Sequence, residues 1–280
     1  PGNALQILQD LIHSSDDPSR ADLLNFAEVS IKAAQPEQAI PIAEAFLKID
    51  GFDGEALVLL CKALIASGKS SEAVELLEKT SAIAPEKPSS WLSLARIWTS
   101  LAQEDKALQA LRKAKAALPD DPAILSALGE LYLANDQPTE AISVLRQAFQ
   151  LDPTLVNVRK SLAQAYLNHG YIDDAWQTIA PLEDDYTSDP ELASVLGQVL
   201  MAIGDLTGAK PVMRFAWQAN RSDTTLKAYA ELLIRSYSKG IKPGNQELKE
   251  MSQLLAVMEE RQQEREGLFD LRLLQADLKA

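Results

Sequence analysis

Apolar and small residues recur along the chain with a period of 34 residues. In the stretch 122–155, Leu125, Leu128 and Tyr132 fall at i, i+3 and i+7, which places them on one face of a helix. A second set with helical spacing begins at Ala141, after a short polar break that indicates a turn. The pattern predicts a repeated unit of two helices, each of which buries one face.

The register continues without insertion from Arg20 to Asp223, which is long enough for six units. The predicted units are 20–53, 54–87, 88–121, 122–155, 156–189 and 190–223. One small position in each unit is held by Ala27, Cys61, Ala95, Gly129, Ala163 and Gly197. A second is held by Ala39, Ala73, Ala107, Ala141, Ala175 and Ala209. Small side chains let two helices approach closely, and because one such pair cannot bury its apolar face alone, the period predicts a stack of units.

The two ends of the chain depart from the period. Residues 1–19 contain one amphipathic helix, and we expect it to be the second helix of a truncated preceding repeat. Residues 224–280 are predicted to form a degenerate seventh unit and a C-terminal cap, with a helix at 224–238 and a long helix from near Gln246. The alternative for that last helix is dimerisation or docking to another chain. We also expect the chain to be part of a larger bacterial protein.

The period and its residues resemble the tetratricopeptide repeat, whose pattern has an aromatic residue, Leu-Gly, Tyr, Ala, Ala and Pro in order. The residues that match are Trp91, Leu128, Gly129, Tyr132, Ala141, Ala148, Pro153, Tyr166, Leu196 and Gly197. Gly51, Thr187 and Arg221 depart from the closing proline. The resemblance implies an all-α fold, an α-α superhelix of antiparallel helix pairs with capping helices. It further implies a concave groove, lined by the first helix of each unit, that binds a peptide or helix of a partner protein.

Composition and charge narrow the class of partner. The net charge is −13, which disfavours nucleic acid because phosphate binding needs a basic surface. An anionic membrane surface is disfavoured for the same reason. No apolar run approaches the ~20 residues of a membrane-spanning helix, so direct membrane insertion is not expected.

Residues that could carry chemistry are sparse, and we expect neither an enzyme, a cofactor nor a metal site. His13 and His169 lie in different parts of the stack, and Cys61 occupies a small position where we expect it to be packed between helices. Aspartates mark the joints between units, where they are expected to cap helix N-termini and not to bind metal. These aspartates are Asp50, Asp120, Asp121, Asp152, Asp189 and Asp223.

The candidate binding residues lie on the first helix of each unit, on the side expected to face the groove. They are Leu24, Asn25, Glu28, Val58, Leu59, Lys62, Leu92, Ser93, Arg96, Glu130, Asn157, Lys160, Gln164 and Asn168. The row Glu28–Lys62–Arg96–Glu130 has two readings, since it can bind a ligand or pair internally between neighbouring units. The N-terminal half of the groove is the more apolar one, and Lys62 and Arg96 lie beside its apolar residues, which favours a peptide with apolar anchors and an acidic group.

The sequence therefore predicts a protein–protein interaction scaffold. The carboxylate clamp of chaperone-binding family members is not expected, because its places hold Leu24, Glu28, Leu59, Ser89 and Ser93. Two alternatives stay open: a non-catalytic repeat arm of a multidomain enzyme such as a glycosyltransferase or protease, and an assembly or secretion factor at a bacterial envelope. A cytoplasmic location is favoured, and a periplasmic or envelope-associated one is the alternative.

Overall fold

The computed structural model describes residues 18–49, 53–82, 88–241 and 244–260. The helix predicted near the N-terminus and the second half of the long C-terminal helix lie outside the described residues. The described residues form 14 α-helices and two 3-10 helices and contain no β-strand, which confirms the all-α prediction.

The helices belong to two compact units that divide between Leu131 and Tyr132. Those that begin in the first unit are α1 Arg20–Lys32, α2 Ala39–Ile49, α3 Gly54–Ala66, α4 Ser70–Ala82, α5 Pro88–Ser100, α6 Glu104–Ala117 and α7 Pro122–Ala134. The second unit contains α8 Pro138–Leu151, α9 Val156–His169, α10 Ile172–Ile179, α11 Pro190–Ile203, α12 Leu206–Ala219, α13 Asp223–Ser238 and α14 Asn245–Glu260. The 3-10 helices are Pro36–Gln38 and Ala180–Ser188.

One turn position recurs every 34 residues with a positive φ angle. It is occupied by Ala34, Ala102, Asp136, Gly68, Gly170 and Gly204, with φ between 54° and 92°. A left-handed residue ends the first helix of each pair and reverses the chain, so the second helix returns antiparallel to the first. Glycine adopts this conformation without a Cβ penalty. Ala34, Ala102 and Asp136 each carry a Cβ atom, so the positive φ angle strains their backbone.

Aspartate side chains cap several helices. Of the predicted ones, Asp121 and Asp189 cap a helix N-terminus, whereas Asp152 follows the end of α8 and accepts a hydrogen bond from the Thr154 N–H group, and Asp50 lies outside the described residues. Asp53 also caps a helix, although it was not predicted to do so.

The side chain of Asp53 accepts hydrogen bonds from the backbone N–H groups of Glu55 and Ala56 at the start of α3. Asp189 does the same at the start of α11. Asp223 differs, because it is the first residue of α13 and the capping side chain is that of Ser222. These bonds satisfy N–H groups that have no partner within the helix.

The two predicted small positions are buried where the helices of a pair meet. All six alanines of the second position have no exposed surface. In the second unit, a Cβ atom added to Gly197 on α11 would lie 2.2 Å from the Sδ atom of Met213 on α12. A side chain larger than hydrogen at position 197 would require Met213 to move. Gly197 therefore allows α11 and α12 to pack closely.

The fifth predicted repeat departs from the pattern. Its second helix, α10, ends at Ile179 and continues as the 3-10 helix Ala180–Ser188. Pro181 lies in the first turn of that 3-10 helix. Proline has no N–H group, and its ring clashes with the carbonyl group four residues earlier, so Pro181 disfavours continuation of the α-helix.

A buried polar cluster joins α14 to the two helices before it. Met251, Leu254 and Leu255 bury the apolar side of α14 in the core of the second unit. Beside them, the Glu250 carboxylate is 2% exposed and accepts hydrogen bonds from Tyr229 Oη at 2.5 Å and Arg214 Nε at 3.0 Å. A second cluster carboxylate, Glu247, lies 3.1 Å from Lys210 Nζ on α12. The described part of α14 is therefore held by both apolar and polar contacts within the second unit.

At the recurrent turn position, introducing glycine should stabilise the protein and removing glycine should destabilise it. Ala102→Gly should stabilise the protein by about 0.5–1 kcal/mol, because left-handed strain of about 1–2 kcal/mol exceeds the entropy cost of glycine, about 0.4–1 kcal/mol. Gly68→Ala should destabilise it by a similar amount, since no atom lies within 4 Å of the added Cβ to compensate. Urea unfolding measures both changes. If the two variants and the wild type are equally stable, the positive φ angle at this position does not affect the free energy of unfolding.

Removing the arginine from the polar cluster should destabilise the second unit. Arg214→Met leaves the Glu250 carboxylate buried without its cation, and breaking a fully buried pair typically costs about 3–5 kcal/mol. We expect about 2 kcal/mol or more, because Tyr229 still donates to Glu250. Arg235→Met is the matched control: it removes an exposed pair with Glu231 and should change the free energy of unfolding by less than ~0.5 kcal/mol. Equal effects of the two substitutions would contradict the role of the cluster.

Candidate protein-binding surface

In the first unit, the apolar candidate residues are only partly covered. Leu24 on α1, Val58 on α3 and Leu92 on α5 are half-buried. Leu59 is more enclosed, with 9% of its surface exposed. These residues occur on successive first helices, so a row of apolar side chains remains partly open to solvent. Such a row offers burial to a partner without the large exposed patch that would cause self-association.

The two cations of the candidate row are exposed and have no carboxylate partner among the described residues. Lys62 lies on α3 and Arg96 on α5, and no ion pair is found for either in the described ranges. The internal pair expected between Glu28 and Lys62 does not form directly. Instead Glu28 Oε1 lies 2.9 Å from Lys32 Nζ, one turn along the same helix. The hydrogen bond from Lys32 and its charge lower the pKa of Glu28, and Lys62 contributes only through its charge.

The remaining candidates of the first unit differ in accessibility. Asn25 and Glu130 are exposed, and Glu130 accepts a hydrogen bond of 3.1 Å from Ser126 Oγ within α7. Ser93 is packed against the start of α3, because its Oγ atom lies 2.8 Å from the position of a Cβ on Gly54. Ser93 therefore lines a contact between two helices and presents little surface to a ligand.

Lys160, a candidate in the second unit, is part of an internal ion-pair cluster. Its side chain is 10% exposed, and its ammonium lies 2.6 Å from Asp189 Oδ2 and 3.1 Å from Glu191 Oε2 at the start of α11. Burial alone would lower the pKa of Lys160, but the two carboxylates raise it above its ordinary value. Burial likewise opposes ionisation of Asp189, yet Lys160 and two backbone N–H groups lower the pKa of that carboxyl. Both groups are charged and paired, so we leave Lys160 out of the proposed ligand site.

The other candidates of the second unit form a local polar surface on α9. Gln164 Nε2 donates a hydrogen bond of 2.7 Å to Asn168 Oδ1, one turn along the helix. Asn157 is exposed near the helix start. These amides can both donate and accept, but they bring no net charge to a ligand.

A second cluster of the Lys160 type, not predicted from the sequence, lies in the first unit. Arg20 at the start of α1 lies 2.8 Å from Asp53 Oδ2 and 2.8 Å from Glu55 Oε2 at the start of α3. The signal was available, because the carboxylates at Asp53 and Asp189 stand four units apart at the same repeat position. In both clusters, a cation on one first helix holds the capping carboxylate of the next first helix.

The residues considered for chemistry are buried or far apart in the described part of the chain. Cys61 is fully buried, and burial raises the pKa of its thiol to about 12, which leaves it protonated at neutral pH. No group of three or more His, Cys, Asp or Glu side chains in the described ranges is arranged to hold a metal ion. His169 stacks on Tyr171 with ring centroids 4.4 Å apart, and His13 lies outside the described residues. Among the described helices, none is long and apolar enough to cross a membrane.

Comparison with known proteins identifies the family. A family model for the tetratricopeptide repeat matches residues 30–97, 64–131 and 132–199. These matches together cover more than half of the chain, so the chain belongs to the tetratricopeptide repeat family. No curated protein matches the sequence. Tetratricopeptide repeats generally mediate protein–protein interaction, and their fold is generally non-catalytic.

Solved structures of the same fold are similar to this chain at low sequence identity. A tetratricopeptide repeat protein from Parabacteroides merdae is 14% identical, with 92% of this chain and 98% of that chain covered and a TM-score of 0.61. A human IFIT1 dimer with PPP-AAAA is 16% identical, with coverages of 96% and 66% and a TM-score of 0.56. The APC/C hetero-tetramer Cut9–Hcn1 is 15% identical, with coverages of 82% and 46% and a TM-score of 0.55. At these identities the similarity establishes the fold alone.

Removing the Lys160 charge should affect folding. Lys160→Met leaves Asp189 and Glu191 without their cation, and we expect a loss of about 1–3 kcal/mol in the free energy of unfolding. The control Lys79→Met removes an exposed pair with Glu75 and should cost less than ~0.5 kcal/mol. Chemical denaturation measures both. If Lys160→Met is as stable as the wild type, the ion pairs of Lys160 do not stabilise the fold. Lys160 would then again be a candidate ligand residue.

Proposed function

We propose that this chain is a protein–protein interaction scaffold whose first unit binds a peptide or helix of a partner protein. The observation that carries the proposal is the pair of exposed cations, Lys62 and Arg96, beside the partly open apolar residues Leu24, Val58 and Leu92. In a chain with a net charge of −13, two cations at the same position of successive first helices are a local exception.

The surface offers two kinds of contact to a peptide. The three half-buried apolar side chains supply burial, which is the main source of binding free energy. The lysine and arginine supply orientation and selectivity for a partner with an acidic group near its apolar anchors. Arg96 can bind a carboxylate with two parallel hydrogen bonds, which Lys62 cannot do.

Several other roles are less well supported by the same observations. The acidity of the chain argues against nucleic acid as ligand, although the human IFIT1 structure of this fold contains PPP-AAAA. Cys61, the one cysteine, is protonated and enclosed, which supports a non-catalytic role. The apolar side of α14 is buried in its own unit, which favours a cap over a homodimer contact through its described part.

The partner can be trapped by cross-linking from the proposed surface. Benzoylphenylalanine replaces Asn25, an exposed candidate residue of α1, and in a second protein it replaces Glu75, an exposed residue of α4. A protein that is cross-linked from position 25 and not from position 75 is the partner candidate. Mass spectrometry of the cross-linked peptide then identifies the bound segment, which should contain apolar residues next to Asp or Glu.

Charge reversal at the two cations should weaken binding of that segment. We expect Lys62→Glu/Arg96→Glu to raise the dissociation constant at least about tenfold, because two attractive contacts become repulsive. The control Lys48→Glu/Lys79→Glu makes the same change in net charge on α2 and α4 and should alter affinity less than about threefold. Calorimetry at two salt concentrations measures both, since screening should weaken the wild-type interaction. Equal losses in the two double variants would contradict the proposed site.

A further inference from the structure

The turns between the two helices of each pair differ in charge between the two units. In the second unit, the segments 134–140, 168–174 and 202–208 occupy the same repeat position and contain five carboxylates and no lysine or arginine. The equivalent segments of the first unit, 32–38, 66–72 and 100–106, each contain one lysine. We name the three segments of the second unit the acidic edge.

Consecutive turns of the acidic edge lie side by side. Thr139 Oγ1, at the start of α8, lies 3.5 Å from His169 Nε2, at the end of α9. Ile203, at the end of α11, occupies the repeat position of His169, and α9 packs against α11. The three turns thus belong to one side of the second unit.

Large apolar side chains are open to solvent on the acidic edge. Tyr171 is 48% exposed and stacks on His169 with ring centroids 4.4 Å apart. The Tyr171 ring also lies 6.3 Å from that of Tyr166, and Ile203, in the next turn, is 40% exposed. Exposed apolar side chains that share one side of a protein are typical of an interaction surface. The stacking on His169 holds Tyr171 in place, so a ligand loses less free energy in ordering it.

The carboxylates of the acidic edge are accessible to a cation. Asp173 and Asp174 follow Tyr171 in the first turn of α10, and both are exposed. Asp136 and Glu140, in the neighbouring turn, are exposed as well. In the part of the chain that the structure describes, no ion pair is found for any of these four carboxylates.

One cation, Arg146 of α8, acts on the aromatic residues from outside the three turns. Burial raises the pKa of Tyr166, the charge of Arg146 lowers it, and the charge of Asp174 raises it. Asp174 therefore lies near the aromatic side chains. Arg146 offsets one of the five carboxylates and leaves the acidic edge with a net negative charge.

We propose that the acidic edge binds a basic segment of a partner protein, in which a lysine or arginine lies next to an aliphatic residue. The cation lies against the Tyr171 ring and beside Asp173 and Asp174, since an aromatic face and a carboxylate both attract it. The aliphatic residue contacts Ile203. This charge preference is the reverse of the one proposed for the first unit, and neither proposal depends on the other.

The proposal can be tested on the full chain with the peptide acetyl-Lys-Leu-Lys-Ala-Leu-Lys-amide. The chain has two histidines, so the ring-proton signals of His169 can be identified by NMR from the His13→Gln variant. We expect the peptide to shift the His169 signals in a saturable way at constant pH, because His169 stacks on Tyr171. The same peptide with every lysine side chain acetylated should leave them unchanged. An unmoved His169 signal, or equal binding of the acetylated peptide, would overturn the proposal.

Variants separate this site from general attraction to an acidic protein. Asp173→Asn/Asp174→Asn should weaken binding at least about fourfold. The control Asp184→Asn/Asp185→Asn makes the same charge change at exposed residues of the 3-10 helix after α10 and should weaken binding less than about 1.5-fold. Tyr171→Leu should weaken it about two- to fourfold, because the side chain stays apolar but loses its aromatic face. Equal losses in the two double variants, or full affinity of Tyr171→Leu, would contradict the proposed site.

Discussion

The close approach of two helices at small residues is the constraint on which each repeat depends. In the second unit, a methyl group at Gly197 would require the Met213 side chain to move. The largest residue at this repeat position is Cys61, and it is fully buried. Because the contact fixes how the two helices sit together, the turn between them must have a constant length. A left-handed residue every 34 positions provides that turn, and the strain at Ala34 and Ala102 shows that the geometry is retained even without glycine.

Buried polar side chains and the apolar core contribute differently to the structure. Apolar side chains can pack favourably in many arrangements of the helices, whereas an ion pair is favourable in only a few of those arrangements. The cluster of Glu250, Arg214 and Tyr229 costs desolvation that an apolar contact would avoid. We infer that its benefit is a defined position for α14, because after α13 the repeat pattern no longer specifies the next helix.

Local and periodic features could be predicted from the sequence, whereas long-range pairing of charges could not. The helices, the glycine turns and the cap at Asp189 follow from spacing and from the chemistry of single residues. The 3-10 helix was missed although Pro181 marks it, because the repeat pattern suggested a second helix of ordinary length. The partners of Glu28 and Lys160 were not predictable, because the reach of a long side chain depends on how neighbouring helices are placed.

Position along the first helix separates structural cations from those available to a ligand. Arg20 and Lys160 lie within about one turn of the helix start, close to the capping carboxylates at the start of the next first helix. Lys62 and Arg96 each lie eight residues after the first residue of their helices, about 12 Å further along the axis at 1.5 Å per residue. No capping carboxylate occurs at that depth, because helix caps occur only at helix ends. This difference in position supports the proposal that Lys62 and Arg96 bind an acidic group on a partner, whereas Arg20 and Lys160 hold helix caps.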